Sequence, residues 1–278
     1  MGKGRAIGWS LVFLAGGLSV VLSVLWVFAR PMAEGGIGPT SAIALQAVVL
    51  LAVFAGMTWL VGVKALRFGA ADLRLTPAPA GVRGFWRGLA IGGLLAGLAM
   101  VIAVPLGHAA WRDDGGTLSA WLGSVGVTAA LLFPAALAEE LMFRGVPLVA
   151  LSRAFGRLPA MLALSLLFGL GHLFNPGITL LAVLNIALAG LWLGAAFFSA
   201  GGLWTATGAH LGWNLALAAL AAPVSGWPFP MPALDYGPGG PAWLTGGEFG
   251  PEGGVIASLC LIGGLYYLSR RNVSEVQT

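Results

Sequence analysis

The chain has 278 residues, of which 58% are hydrophobic and 9% charged, with a formal net charge of +4. A soluble domain carries roughly 25% charged residues, so this composition cannot cover a water-exposed surface. Its long apolar stretches, without the short alternating strands of a barrel, point to an all-α polytopic membrane protein.

Eight apolar segments follow in chain order: Ile7–Ala29, Thr40–Val63, Gly88–Gly107, Leu118–Leu151, Leu158–Phe174, Ile178–Phe198, Gly201–Ala222 and Gly253–Leu268. The first is longer than the roughly 7–15-residue core of a signal peptide and reads as a span. Between the second and third, Ala70–Arg87 carries Pro77, Pro79 and basic residues and is expected along the cytoplasmic face. Gly93 and Gly97 form a small-xxx-small pair, the pattern of close helix packing. No soluble insertion interrupts the segments, so residues 1–278 read as one membrane domain. Its motif-bearing core covers about 119–222 and its Pro/Gly-rich external loop about 223–252.

Eight spans place both termini on one side. That side receives Lys3, Arg5, Lys64, Arg67, Arg74, Arg83, Arg87, Arg153, Arg157, Arg270 and Arg271. The other receives Arg30 and Arg112 with Glu34, Asp113, Asp114, Asp235, Glu248 and Glu252. This is the positive-inside pattern, with cytoplasmic termini. It also accounts for the sequence pI of about 9.8 without a nucleic-acid partner. Cys260, the single cysteine, lies in an apolar segment and reads as packing; no disulfide can form within the chain. The external loop holds seven of the sixteen prolines and reads as an irregular cap, with a substrate-guiding lid as the alternative.

Ionisable groups are costly inside a bilayer and need a reason to be there. Here they are concentrated. Glu139, Glu140 and Arg144 lie in the fourth segment, His172 near the end of the fifth, and His210 with Asn214 in the seventh. The third histidine, His108, falls at the external end of the third segment. Glu140 and Arg144 are four residues apart, so they face each other on a helix and neutralise one another. Glu139 is rotated to a different face and lacks a partner in its own helix. A carboxylate in that position suits a general base. Glu139 and His172 are equidistant from a turn near Phe155–Gly156, so an antiparallel hairpin brings them to similar depth. Phe168 lies one turn before His172 on the same face. His210 and Asn214 share a face of the seventh segment, where interhelical hydrogen bonding is the plainer alternative.

Two histidines, a free carboxylate and an amide in an apolar cavity fit amide hydrolysis. Glu139 would deprotonate a water, and a histidine would orient that water or protonate the leaving amine. Asn214, with or without His210, would donate to the oxyanion. A zinc site through Glu139, His172 and His210 is the alternative. It ranks lower because the ligands are spread over three segments with no H-E-x-x-H motif, so no cofactor is expected. A membrane serine elbow and paired membrane aspartates are also missing from the sequence.

Glu139-Glu140-x-x-x-Arg144, Phe168-x-x-x-His172 and His210-x-x-x-Asn214, in this order over about Leu131–Leu217, resemble the three signature motifs of the CPBP (Abi) family, which includes the type II CAAX prenyl endopeptidases. The resemblance implies an eight-helix intramembrane glutamate peptidase. In it Glu139 activates water, His172 and His210 assist, Asn214 serves the oxyanion, and Glu140 and Arg144 support. The partners it implies are the lipid bilayer and a membrane-anchored peptide or protein substrate. Twelve Arg against two Lys, with abundant Ala, Gly and Leu, suggest a GC-rich prokaryote and hence an inner or plasma membrane, where a prenylated substrate is not expected. A non-enzymatic scaffold or immunity protein, and a proton-coupled transporter, are the competing functions.

Overall fold

The computed structural model describes residues 1–33, 36, 38–106 and 109–276; Glu34 and His108 lie outside the described residues. The described residues are all-α apart from one small two-stranded sheet. Its helices are α1 (Lys3–Ala33), α2 (Pro39–Met57, running on as a π-helical stretch Thr58–Ala65), α3 (Ala80–Ala103), α4 (Leu118–Arg144), α5 (Val146–Phe155), α6 (Arg157–Leu170), α7 (Leu180–Phe198), α8 (Leu203–Ala219), the single turn α9 (Ala242–Thr245) and α10 (Val255–Val276). Strands β1 (Ala109–Arg112) and β2 (Asp235–Pro238) pair antiparallel, Ala110 opposite Gly237.

Five stretches are long and apolar enough to cross a membrane: Lys3–Ala29, Thr40–Ala65, Ala80–Ala103, Leu118–Phe155 and Leu180–Phe198. The expected count of eight is not reached by this criterion. Three segments fall short: the apolar part of α10 is Val255–Arg270, and α8 has 17 residues and α6 14, the last a rise of about 21 Å against a hydrocarbon thickness of about 30 Å. A helix this short ends at membrane depth, where irregular backbone is tolerated only if protein buries it or it lines a cavity. The apolar side chains left exposed, among them Leu22, Leu94, Val101, Leu166 and Leu180, form the face such a protein offers to lipid.

Two local features differ from the sequence reading. The fourth segment does not continue as one helix to Leu151. It breaks at Gly145, whose amide reaches back to the Glu140 carbonyl at 3.0 Å. The chain restarts as α5 with Pro147 in its first turn, where a missing amide proton costs nothing. A Cβ at Gly145 would sit 2.4 Å from the Leu141 carbonyl oxygen. The second difference is the close helix crossing. It uses Gly84, Gly88 and Gly92 of α3, not Gly93 and Gly97. A Cβ at Gly92 would lie 2.0 Å from the Ala209 carbonyl oxygen, whereas a Cβ at Gly97 would meet nothing within 4 Å. One residue along a helix rotates the side chain by about 100°, which turns Gly93 and Gly97 off the contact. From the other side, Gly208 and Gly212 of α8 press on the Phe85 and Leu89 carbonyls. Backbone against backbone, α3 fixes the depth of α8.

The α7–α8 turn is pinned by arginines. Arg74 donates from Nε to the Phe197 carbonyl at 2.8 Å and from Nη2 to the Ser199 carbonyl at 2.8 Å, satisfying the open carbonyls of a helix C-terminus. Gly201 and Gly202, with φ of 94° and 60°, make the reversal that starts α8. The segment after α8 is a packed cap and not a loose loop. Phe249 is fully buried in a cluster with Phe168, Ala182 and Ile186, and Asn175 Nδ2 donates to the Ser225 carbonyl at 2.8 Å. Asp114 accepts from the Ala233 amide at 2.6 Å. Cys260 is buried.

Candidate active site

The ionisable residues of the apolar segments converge where α4, α6 and α8 meet. Glu140 is fully buried, Arg144 is 3% exposed and His210 8%. Charges so buried are tolerated only when paired and hydrogen-bonded. Arg144 Nη1 donates to Glu140 Oε1 at 3.0 Å and Nη2 to the Gly190 carbonyl at 3.0 Å. Its guanidinium also stacks over the Phe168 ring, 4.6 Å from the centroid. His210 Nδ1 lies 2.9 Å from the same Glu140 Oε1. Glu140 thus holds an arginine from its own helix and a histidine from α8. Its other oxygen, Oε2, is buried without a hydrogen-bond partner.

Glu139 points to a different face, and its side chain keeps 27% exposure. Its carboxylate Oε2 lies 3.9 Å from His210 Nε2. That gap is too long for a direct hydrogen bond and within reach of a bridging water. His210 is therefore aimed by one glutamate and faces the other. Glu139 and His172 are equidistant in sequence from the α5–α6 turn, but among the described residues no ion pair or hydrogen bond joins them. His172 instead uses Nδ1 on the Phe168 carbonyl at 2.8 Å. Phe168 is the shared neighbour, its ring edge-on to His172 at 5.0 Å and to His210 at 6.1 Å.

A small cavity of about 30 Å³ is lined by His172, His210, Asn214, Trp213, Ser225 and Glu252 together with apolar side chains. A cavity of roughly 10–15 Å³ holds one water, so there is room for a water beside His210 and Asn214; Glu139 lies against His210 and is not among the lining residues. The Asn214 amide lines the cavity without a hydrogen-bond partner among the described residues. Among those residues no three His, Cys, Asp or Glu converge on a metal position; Glu139, His172 and His210 do not form such a set.

Sequence reasoning missed Ser225 and Glu252. Both sit in the segment read as an external cap, where no helical period links them to the motifs. Glu252 is buried, accepts from Trp213 Nε1 at 3.1 Å, and accepts from the Ser225 amide and, at 3.2 Å, from the Ser225 hydroxyl. The sequence signal for Glu252 is an acidic residue in a Pro/Gly-rich stretch that also holds Trp243 and Phe249.

Residues 120–216 match the model of the Rce1-like type II CAAX prenyl endopeptidase family. The match takes in α4 through most of α8 and therefore every motif residue named above. No curated protein and no solved structure gives a match.

Proposed function

We propose that the protein is an intramembrane endopeptidase that hydrolyses a peptide bond of a membrane-associated protein or peptide by glutamate-activated water. The observation that carries this reading is His210, placed between two glutamates of α4 at the edge of a water-sized cavity. With Nδ1–H donated to Glu140, Nε2 presents its lone pair toward Glu139. A water that bridges Glu139 and His210 has an oxygen free to attack a carbonyl, and Glu139 takes the proton it releases. His172 assists in orienting that water. The unpartnered Asn214 amide supplies N–H donors for the tetrahedral oxyanion. Glu140 and Arg144 act through His210 by fixing its tautomer and position. The family match over residues 120–216 supports a CAAX-protease-like membrane peptidase, and the apolar helices support a site inside the bilayer.

The test is proteolysis by purified, reconstituted protein against a library of membrane-anchored and prenylated peptides, with Glu139→Ala, His172→Ala and a chelator-treated sample beside the wild type. Cleavage lost in both variants and retained with chelator is expected. Cleavage lost to chelator and restored by zinc would move the water activation to a metal held by Glu139, His172 and His210. A wild type that cleaves nothing in the library would favour a scaffold or transporter role.

A further inference from the structure

Among the described residues the carboxyl that lines the cavity is Glu252 and not Glu139, and it comes from outside the stretch that matches the family. Glu252 stands in the turn before α10, buried, with all its hydrogen-bond donors neutral: the indole of Trp213, and the amide and hydroxyl of Ser225. The titratable neighbour that bears on it is His172, across the cavity, and among the described residues it has no Lys or Arg partner. Its backbone is held as firmly as its side chain. Asn185 Nδ2 of α7, itself buried, donates to the carbonyls of Glu252 at 2.8 Å and Gly254 at 2.9 Å, and Ser258 of α10 donates to Asn185 Oδ1 at 2.6 Å. A carboxyl buried for packing alone would be paired with a cation or replaced by an apolar group, because an unpaired buried charge costs several kcal/mol. Burial pushes this carboxyl above the usual carboxylate range. The Ser225 hydroxyl beside Oε2 can accept its proton as readily as donate one.

Peptide hydrolysis needs a proton acceptor for the water and a proton donor for the leaving amine. Two carboxyls in unlike surroundings divide those tasks. Glu139 is part-exposed and faces His210; Glu252 is buried among neutral donors. We propose that Glu252 is the acid of this site and delivers its proton to the leaving amine. The step balances. A water O–H bond breaks and its proton goes to the Glu139 carboxylate, while the oxygen bonds to the carbonyl carbon. The C–N bond then breaks, its electron pair stays on nitrogen, and nitrogen takes the Glu252 proton. Return of the Glu139 proton to Glu252 through solvent resets the pair. This proposal rests on the peptidase reading and adds a residue to it.

The experiment compares two versions of a peptide taken from the library above: the peptide amide, and a 4-nitrophenyl ester whose leaving phenolate needs no proton. Glu252→Gln keeps the shape, but its one oxygen can accept from either Trp213 or the Ser225 amide and not both, so its folding is checked against the wild type. It is expected to lower kcat for the amide by about 100-fold or more, the range of a lost general acid, with KM and ester turnover little changed. Glu252→Asp, which keeps an acid, is expected to fall between Gln and wild type. Equal loss on amide and ester, or no loss on the amide, overturns the assignment while leaving the peptidase reading in place. If Glu252→Gln does not fold, Glu252→Asp decides alone: a reduced amide-to-ester ratio supports the assignment and an unchanged ratio overturns it. A wild type that cleaves neither compound overturns the peptidase reading itself.

Discussion

The site is assembled by two regions that solve one problem in opposite ways. The helical region, α4 to α8, buries charge by pairing it: Glu140 takes both Arg144 and His210 on one oxygen. The segment between α8 and α10 buries a carboxyl without a Lys or Arg, holding it with neutral donors and fixing its backbone through Asn185. Pairing holds a group charged and in a fixed orientation. Neutral donors in a dry setting leave a carboxyl able to keep its proton. The contrast separates supporting charges from working ones, and each half can be broken independently.

The largest effect is expected in the helices. Glu140→Ala leaves Arg144 buried without its carboxylate and removes the partner of His210 Nδ1. Removing one member of a buried pair typically costs about 3–5 kcal/mol. Unfolding in detergent should show a loss on that scale, far beyond the loss from an equally buried neutral substitution. Stability unchanged by Glu140→Ala would mean that α4 tolerates an open cation, and the distinction between the two regions would fail. Next comes the crossing that sets the depth of α8. Gly92→Ala drives a methyl into the Ala209 carbonyl, an overpacking cost of about 1–3 kcal/mol. Gly97→Ala meets nothing and should be neutral or stabilising through helix propensity. Equal behaviour of the two in thermal unfolding would refute the crossing.

On the loop side, Asn185→Ala orphans the Glu252 carbonyl and removes one of the donors to the Gly254 carbonyl, which keeps the Ser258 amide, and should cost roughly 1–2 kcal/mol. The distinguishing readout is local. Limited proteolysis should open the 223–252 segment while α4 to α8 stay protected. Cleavage spread evenly over the whole chain would show that loop and helices unfold as one unit.

The helical half was legible because the rules that govern it act over short sequence distances. Glu140 and Arg144 meet because they are one turn apart, and Phe168 reaches His172 for the same reason. The all-α membrane class followed from composition alone. What could not be read depends on phase and on long-range contact. Gly145 and not Pro147 ends α4, because the break needs a residue without a Cβ against the Leu141 carbonyl. The tight crossing fell one residue away from the glycine pair that caught the eye, a shift that only the orientation of α3 decides. Glu252 reaches Trp213 across 39 residues of sequence, through a loop whose course no periodicity encodes.

The smallest expected effect is a surface counterpart to Glu140–Arg144. Asp72 and Arg153 also form an acid–guanidinium pair, but both side chains are substantially exposed, at 38% and 43%. The Gly69 amide and then Arg153 hold the Asp72 carboxyl below its ordinary value of 3.8. A depressed carboxylate stabilises the fold above that ordinary value, and the contribution is lost as pH falls through the lower, folded value. Solvent screening limits it to at most about 0.5 kcal/mol. Asp72→Asn should therefore lower the melting temperature slightly near neutral pH, and the difference from wild type should shrink in strong acid and at high salt. A loss from Asp72→Asn as large as that from Glu140→Ala would mean that burial is not what separates the two pairs.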